Sequence, residues 1–262
     1  MRTQELDRPR SMRLIQAAVT TILMTTAVTF GAGAQTLSDG NFTGTTGFIQ
    51  QGTTNNQSLP GWTVTTGSSG SYTGVASGPT ITAGTTYFGS GGDSFTTSPG
   101  TVPGGYSGNI FINDAGSPYS LTIAQTITNL VSGHAYALSF YYAGAQQTGF
   151  SGASTDYWAV TTGSTVTNTP NITIGFGTPG GNQGIGPTDP WAKQIINFTA
   201  TGATEALSFL AAGSGTGQPP FMMLANVAVF QVPEPASLAM YGLGLAGLLG
   251  LRRHRRSPRM AI

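Results

Sequence analysis

Short runs of β-branched and aromatic residues recur along the middle of this chain, and each run ends in a cluster of Gly, Pro, Asn or Ser. Such runs predict β-strands that are bounded by turns. Within Ala135–Ala143, the side chains of Tyr136, Leu138, Phe140 and Tyr142 fall on alternate positions and are expected to share one face of a sheet. No convincing amphipathic helix separates the runs. The pattern therefore predicts an all-β fold, an antiparallel jelly-roll β-sandwich.

The predicted strands begin at Gly108 and continue to Gln231. The spacing of Ile195 and Phe198 departs from strict alternation and permits a bulge in their strand. The expected strands are Gly108–Asn113, Ser120–Ile127, Ala135–Ala143, Tyr157–Thr161, Asn171–Phe176, Lys193–Ala200, Glu205–Ala211 and Met222–Gln231.

Charge divides the chain into three zones, because nearly all basic residues lie at its two ends. Between Thr36 and Gln231 the only cation is Lys193, and the carboxylates there are Asp39, Asp93, Asp114, Asp156, Asp189 and Glu205. This mildly acidic body lacks the clustered Lys and Arg that phosphate neutralisation needs, which argues against a nucleic-acid partner. The chain has no cysteine. Packing, and not disulfides, must therefore hold an exported body together.

Residues 1–34 carry the three parts of a secretory signal peptide. Basic residues up to Arg13 precede an apolar run, and the small residues Ala32-Gly33-Ala34 follow it. This order predicts export and cleavage after Ala34, with Met12 as an alternative start. An amphipathic helix is the alternative interpretation, but the threonines of the run leave no consistent apolar face.

Residues 236–251 form an uncharged, apolar run. As a helix the run is about 24 Å long, enough for one transmembrane crossing when flanking side chains snorkel. The basic cluster that follows is expected to stay in the cytoplasm, which leaves the body outside and residues 257–262 as a cytoplasmic tail. This cytoplasmic stop consists of Arg252, Arg253, Arg255 and Arg256.

The tripeptide Pro233-Glu234-Pro235, the short apolar span and the terminal Arg cluster together resemble the PEP-CTERM sorting signal, here over residues 232–256. The resemblance implies a bacterial protein that inserts transiently into the inner membrane. It also implies that exosortase recognises Pro233, Glu234 and Pro235, removes the tail and delivers the body to the envelope or extracellular matrix. A plain, permanent C-terminal anchor is the alternative that the residues themselves leave open.

The ectodomain is expected to span residues 35–231, and several short segments of it are similar to galactose-binding-like β-sandwiches, the fold of many carbohydrate-binding modules. Members often hold a structural calcium with acidic residues where this chain has Thr43 and Ala225-Asn226. Asp39 and backbone carbonyls remain as candidate calcium ligands. The similar segments are Leu37–Phe42, Pro60–Trp62, Ile123–Ile127, Gly133–Phe140 and Leu224–Val229.

The body offers little for catalysis. Its one histidine, His134, lies at an expected turn, and neither a nucleophile elbow nor a His-Glu-x-x-His motif is present. The glycine-rich stretch Gly175–Pro187 lacks the Lys-Ser/Thr ending of a phosphate loop and is expected to connect strands. The sequence therefore indicates a non-catalytic protein without a required cofactor. A secreted glycoside hydrolase that uses an unidentified carboxylate pair is the alternative.

Sugar recognition needs an exposed aromatic ring with amide or carboxylate groups beside it. Strand alternation sends adjacent tyrosines to opposite faces, so one tyrosine of a pair can be exposed while the other packs. Each tryptophan is alternatively a core residue. The sequence thus predicts an exported surface protein that binds exopolysaccharide through a sheet face or loop edge, or a purely structural, adhesive domain. The candidate ligand-binding residues are Tyr141, Tyr142, Gln146, Asp156, Trp158 and Trp191.

Overall fold

The structure is a computed structural model that describes residues 37–51, 54–55, 58–65, 72–87, 94–95, 98–116, 121–148, 153–174, 182–183, 191–215, 220–232 and 244. The chain divides into two units, Met1–Gly33 and Ala34–Ile262. The predicted signal peptide, the Pro233–Pro235 motif, the predicted span 236–251 and the Arg252–Arg256 cluster lie outside the described residues, apart from Gly244. Within the described part, no helix is long and apolar enough to cross a membrane.

The described residues form sixteen β-strands, and every pairing between these strands is antiparallel. In chain order they are β1 (Gly47–Gln51), β2 (Thr54–Asn55), β3 (Thr63–Val64), β4 (Tyr72–Ala76), β5 (Thr80–Ile81), β6 (Gly100–Thr101), β7 (Ile110–Asp114), β8 (Thr122–Ile127), β9 (Ala135–Gln146), β10 (Ser154–Thr162), β11 (Thr165–Asn168), β12 (Ile172–Ile174), β13 (Asn182–Gln183), β14 (Ala192–Thr199), β15 (Glu205–Gly215) and β16 (Pro220–Gln231).

Two seven-stranded sheets carry the described fold. Sheet I has the strand order β14-β9-β16-β7-β4-β1-β2. Sheet II has the order β13-β12-β10-β15-β8-β3, and β11 pairs with β10 beside this path. The short strands β5 and β6 pair only with each other among the described strands. The predicted all-β, antiparallel jelly-roll sandwich is confirmed; the predicted C-terminal helix falls outside the described residues.

The main core lies between the two sheets. Tyr136, Leu138, Phe140 and Tyr142 of β9 all point into it, as their alternation predicts. From sheet II, Phe209 packs edge-on against Phe140, with ring centroids 5.1 Å apart. Interlocked aromatic rings of this kind give the sandwich a large buried apolar area, which is the main source of its stability.

A second core covers the outer face of sheet I. Alternate residues of one strand enter different clusters, since Phe111 lies in the main core while Ile110 and Ile112 lie in the second. Residues 77–108, named here the covering segment, supply the opposite side of this second core; residues 88–93 and 96–97 of the segment are not described. Phe95 of this segment is fully buried and packs edge-on against Phe221, with centroids 5.4 Å apart. The middle of sheet I, including all of β7, is therefore buried on both faces.

Several expectations about the strands need correction. The strands before Gly108, which include β1 and β4, were not predicted from the sequence. The bulge expected near Ile195 and Phe198 does not occur, because β14 pairs with β9 in unbroken register from Ala192 to Thr199. The described bulges lie instead in β1 and in β16, where the register shifts between Ala225 and Ala228.

Candidate functional site

Two of the candidate binding residues, Trp158 and Tyr142, lie in the main core. The ring of Trp158 is fully buried, and its Nε1 donates a hydrogen bond to the Met223 carbonyl at 3.2 Å. Tyr142 is also fully buried, and its hydroxyl donates to the Pro170 carbonyl at 3.2 Å. Burial raises the pKa of Tyr142 to about 12. Both rings occupy inward positions of their strands, so neither presents a face to a sugar.

Trp191 and Tyr141 lie on the other side of sheet I. Trp191 is 2 % exposed and donates from Nε1 to the Gly100 carbonyl of the covering segment at 3.2 Å. Tyr141 is half-buried beside this second core, and Nζ of Lys193 lies 5.8 Å from its ring centroid. The covering segment therefore occupies most of the sheet face on which a ligand was expected. Tyr141 is the one candidate aromatic residue that keeps partial exposure.

Gln146 and Asp156 are both buried polar residues. Asp156 is inaccessible to solvent; Ser154 Oγ donates to its Oδ2 at 2.7 Å, and Oδ1 receives no hydrogen bond from the described residues. A Cβ at the facing Gly213 would overlap Oδ1, which explains the glycine. Burial raises the pKa of Asp156 to about 7, against the opposing effect of the Ser154 hydrogen bond. This carboxyl is enclosed beneath sheet II and points away from solvent.

Asp39, the calcium candidate, closes a turn at the start of the described body. Its Oδ1 accepts hydrogen bonds from Thr43 N at 2.7 Å and Thr43 Oγ1 at 3.0 Å, and its Oδ2 accepts one from Gly44 N at 3.0 Å. Its carbonyl accepts a hydrogen bond from Nε1 of Trp62 at 3.2 Å. These donors satisfy the carboxylate without a cation. Among the described residues, no group of three or more His, Cys, Asp or Glu side chains is arranged to hold a metal ion.

The outer side of sheet II differs from that of sheet I because it is open to solvent. In β10, burial alternates at every residue: Trp158 and Val160 point inward, while Tyr157 and Ala159 point outward and stay half-exposed. The open face is defined here by the outward residues of three neighbouring strands, all of them uncharged. They are Thr155, Tyr157, Ala159 and Thr161 of β10, Ala206, Ser208, Leu210, Ala212 and Ser214 of β15, and Thr122, Ala124 and Thr126 of β8.

The surroundings of Tyr157 suit contact with a flat apolar surface. Its cross-strand partner in β15 is Ala212, whose small side chain leaves the ring uncovered on that side. On the β11 side, Ala159 pairs with the exposed Asn168, which lies diagonal to Tyr157. On the β12 side, Thr155 pairs with the exposed Thr173. Because diagonal and facing neighbours lie within about 8 Å, an amide and two hydroxyls are within reach of a molecule on the ring.

Tyr157 was not among the candidate residues, although the sequence contains the signal that identifies it. Tyr157 and Trp158 are adjacent in a strand, so one of the two must point outward. Trp158 is the larger apolar side chain and carries a single N–H donor, which one carbonyl satisfies in the core. Assigning Trp158 to the inside is therefore enough to expose Tyr157.

A separate cleft of about 220 Å³ opens between the β10–β11 turn and the edge strand β14. Threonine hydroxyls and the ring of Phe198 line it, and Glu205 lies at its base, 8 % exposed. Oε1 of Glu205 accepts hydrogen bonds from Thr201 N at 2.6 Å and Thr201 Oγ1 at 2.7 Å. These bonds hold the pKa of Glu205 below its usual value, so this carboxylate is ionised, and its Oε1 is engaged by the hydrogen bonds from Thr201. Glycine suits position 163 beside it, because the backbone there has a left-handed φ of 60° and a Cβ would lie 2.6 Å from Oε2.

Residues 231–256 match a family model described as the PEP-CTERM protein-sorting motif. The resemblance noted for residues 232–256 is thereby confirmed, and the chain carries the sorting motif of an exported, envelope-associated bacterial protein. No curated protein matches the chain.

Solved structures similar to this chain include carbohydrate-binding β-sandwich domains. TmCBM61, solved with β-1,4-galactotriose, is 10% identical with a TM-score of 0.35, over 65% of this chain and 88% of that one. The CBM22-1 xylan-binding domain of Paenibacillus barcinonensis Xyn10C is 12% identical with a TM-score of 0.31, over 73% of this chain and 98% of that one. The enzymatically active domain of bacteriophage CBA120 tailspike protein 4 is 12% identical with a TM-score of 0.34, over 66% of this chain and 19% of that one.

Proposed function

We propose that this protein is a non-catalytic component of the bacterial cell surface or extracellular matrix that binds exopolysaccharide through the open face of sheet II. The observation that carries the proposal is the outward side of β10. There the ring of Tyr157 lies among hydroxyl, amide and small side chains, and none of the open-face residues is charged. Aromatic rings bind the apolar side of a pyranose, while neighbouring polar groups reach its hydroxyls.

The charge of the body indicates which polysaccharides suit this surface. Lys193 is the only cation between Thr36 and Gln231, against six carboxylates. A strongly anionic polymer would be repelled by this acidic body, and the open face offers no cation to attract it. The proposal therefore names a neutral or weakly charged glycan chain that lies across β8, β15 and β10.

Five of the six candidate residues expected from the sequence have a structural role in this proposal. Trp158, Tyr142, Asp156, Gln146 and Trp191 are buried and serve the fold. Tyr141 keeps a half-exposed ring on sheet I and is the alternative binding residue. Tyr157→Ala and Tyr141→Ala are thus a matched pair, in which one tyrosine is removed from each sheet.

Affinity electrophoresis of the full-length chain in detergent, through gels that contain exopolysaccharide from the producing cells, tests the proposal. Tyr157→Ala is expected to weaken retention at least tenfold, because the stacking ring is lost, while Tyr157→Phe retains most of the binding. Tyr141→Ala is expected to bind like the wild type. If Tyr157→Ala binds normally and Tyr141→Ala does not, the binding surface lies on sheet I. A wild-type chain that no glycan retains would favour the purely structural, adhesive role.

We propose in addition that the tail is removed, so that the envelope or matrix form of the protein ends near Pro233. The matched sorting motif supports removal over permanent anchoring. Intact-mass measurement of the protein recovered from native cells is expected to show a C-terminus near Pro233. A mass that includes every residue through Ile262 would instead indicate a permanent anchor.

A further inference from the structure

The last strand of the sandwich continues directly into the sorting motif. Val232 N donates a hydrogen bond to the Ala135 carbonyl at 2.9 Å, so the chain is still attached to β9 one residue before Pro233. Gln231 pairs with Tyr136, and its Nε2 lies 2.6 Å from Nδ1 of His134. The matched motif begins at residue 231. The folded sheet and the sorting motif are therefore contiguous, without a spacer.

This arrangement obstructs an enzyme that must bind the chain on both sides of the bond it attacks. A strand within a sheet has its backbone groups engaged by its neighbour, and side chains on both faces are packed. Enzymes that cleave folded proteins commonly act on segments that open locally, at a rate set by the free energy of that opening. Access to Pro233–Pro235 therefore depends on how firmly the end of β16 is held.

The bulge divides β16 into two parts that are held very differently. Before it, Phe221–Leu224 pairs with β7 on one side and β9 on the other, and its side chains fill both cores. After it, Ala228–Gln231 pairs with β9 and with no other described strand. Asn226, at the bulge, has a φ of 52°, in the left-handed region, and marks the division.

The part after the bulge also buries little apolar surface. Phe230 is 45 % exposed, Ala228 is exposed and Val229 is half-buried. Val227 is in contrast 4 % exposed, and its N–H donates to the Gly40 carbonyl at 3.0 Å. Opening residues 228–232 thus breaks one ladder of hydrogen bonds and the Gln231–His134 contact, and it removes only the partly buried Val229 from the edge of the main core. Opening beyond Val227 would disrupt both cores.

We propose that residues 228–232 are a release segment, which detaches from β9 to give exosortase access to the Pro233–Pro235 motif. The inference rests on the proposed processing of the tail. Once detached, the five residues extend about 16 Å and separate the motif from the sandwich by that distance. The bulge stops further opening, so the ectodomain stays folded while the tail is removed. Tail removal is then limited by the opening of this segment.

A disulfide staple tests the proposal, because the chain has no cysteine of its own. Ser139 and Ala228 are cross-strand partners on the outer side of β9 and β16. Facing antiparallel residues have Cα separations of about 4.5–5.5 Å, which a disulfide can span. Ser139→Cys with Ala228→Cys therefore locks the release segment. Ser139→Cys with Ile195→Cys is the matched control, since it uses the same Ser139 position and joins β9 to its other neighbour, β14, instead of to β16.

The readout is the fraction of full chain that loses its tail in a pulse-chase experiment in native cells, with disulfide formation verified on non-reducing gels. The Ser139–Ala228 staple is expected to slow tail removal at least tenfold, and the Ser139–Ile195 staple is expected to leave the rate unchanged. Insertion of a six-residue Gly-Ser spacer between Val232 and Pro233 is expected to restore processing of the locked chain.

Equal rates of tail removal for the locked and unlocked chains would contradict the proposed role of the release segment but not the proposed tail removal. Exosortase would then act without opening the segment, or before β16 has paired. Slow processing that the spacer does not restore would also overturn it, because the lock would then act elsewhere. A wild-type chain that retains its tail through Ile262 would overturn the proposed processing, and the release segment with it.

Discussion

The outer faces of the two sheets show how the same kind of strand serves packing in one place and contact with solvent in another. Sheet I is covered by residues 77–108, so all five residues of β7 are buried. Sheet II is open, and β10 alternates strictly between buried and half-exposed residues. Aromatic residues on the outer side of sheet I therefore stabilise the fold, while Tyr157 on sheet II remains available to a ligand.

The two sides of sheet II show the same contrast between a buried and an open face, because Asp156 points inward and the adjacent Tyr157 points outward. Folding raises the pKa of Asp156 from 3.8 to about 7. Below about pH 4 both the folded and the unfolded chain carry the proton; as the pH rises to 7 only the folded chain keeps it. The Asp156 contribution to the free energy of unfolding should thus fall between pH 4 and 7, by up to about 4 kcal/mol, and level off above.

Denaturant unfolding of wild type and Asp156→Asn at pH 4, 6 and 8 measures this contribution. The amide cannot ionise, so the variant should become the more stable protein as the pH rises. A constant difference between the two proteins over this range would show that Asp156 is not enclosed as described.

A second measurement compares the covered and the open face through one large apolar residue on each. Phe95→Ala should lower the free energy of unfolding by about 3 kcal/mol, because it leaves a cavity against Phe221 in the second core. Leu210→Ala should cost less than about 1 kcal/mol, since this side chain is already 37 % exposed. Urea unfolding of both variants provides the values. Equal costs would mean that the covering segment does not shield sheet I.

The smallest expected effect concerns the two tyrosines. Tyr157→Ala should change the free energy of unfolding by about 0.5 kcal/mol, because its ring packs against small neighbours. Tyr141→Ala should cost about 1 kcal/mol, since it removes a ring that packs against the second core and lies near Lys193. Thermal melts at equal protein concentration detect this difference. The opposite order would make Tyr157 a structural residue and weaken the proposal for sheet II.

Periodicity predicted the strands that have a regular apolar face, and it could not predict those without one. The inward face of Tyr136, Leu138, Phe140 and Tyr142 followed from alternation alone and is confirmed. The covering segment is rich in Gly, Ser and Thr, and it has short strands with few apolar positions, so nothing local marks it as the cover of a core. Strands buried on both faces lose the polar alternation that identifies an inner side.

The sequence predicted that an aromatic residue would form the candidate binding site, but it did not identify which aromatic residue. Asp156 and Trp158 were candidates, and alternation requires either Trp158 or its neighbour Tyr157 to point outward. Which one does so depends on Phe209 and Met223, which contact Trp158 from distant parts of the chain. Trp191 likewise acquires its role from Gly100, far away in sequence. Tertiary contacts of this range are not encoded in any local window of sequence.

The central position of β16 has a mechanical consequence. Between Phe221 and Leu224 this strand lies antiparallel to neighbours on both sides, and its end at Gln231 leads to the tail. Tension applied through Val232 first loads the single ladder that joins residues 228–231 to β9, and beyond the bulge the hydrogen bonds of two ladders share the load. A polymer that pulls on the ectodomain while the tail is held would therefore open residues 228–231 first, and the doubly paired part of β16 would carry the load only afterwards.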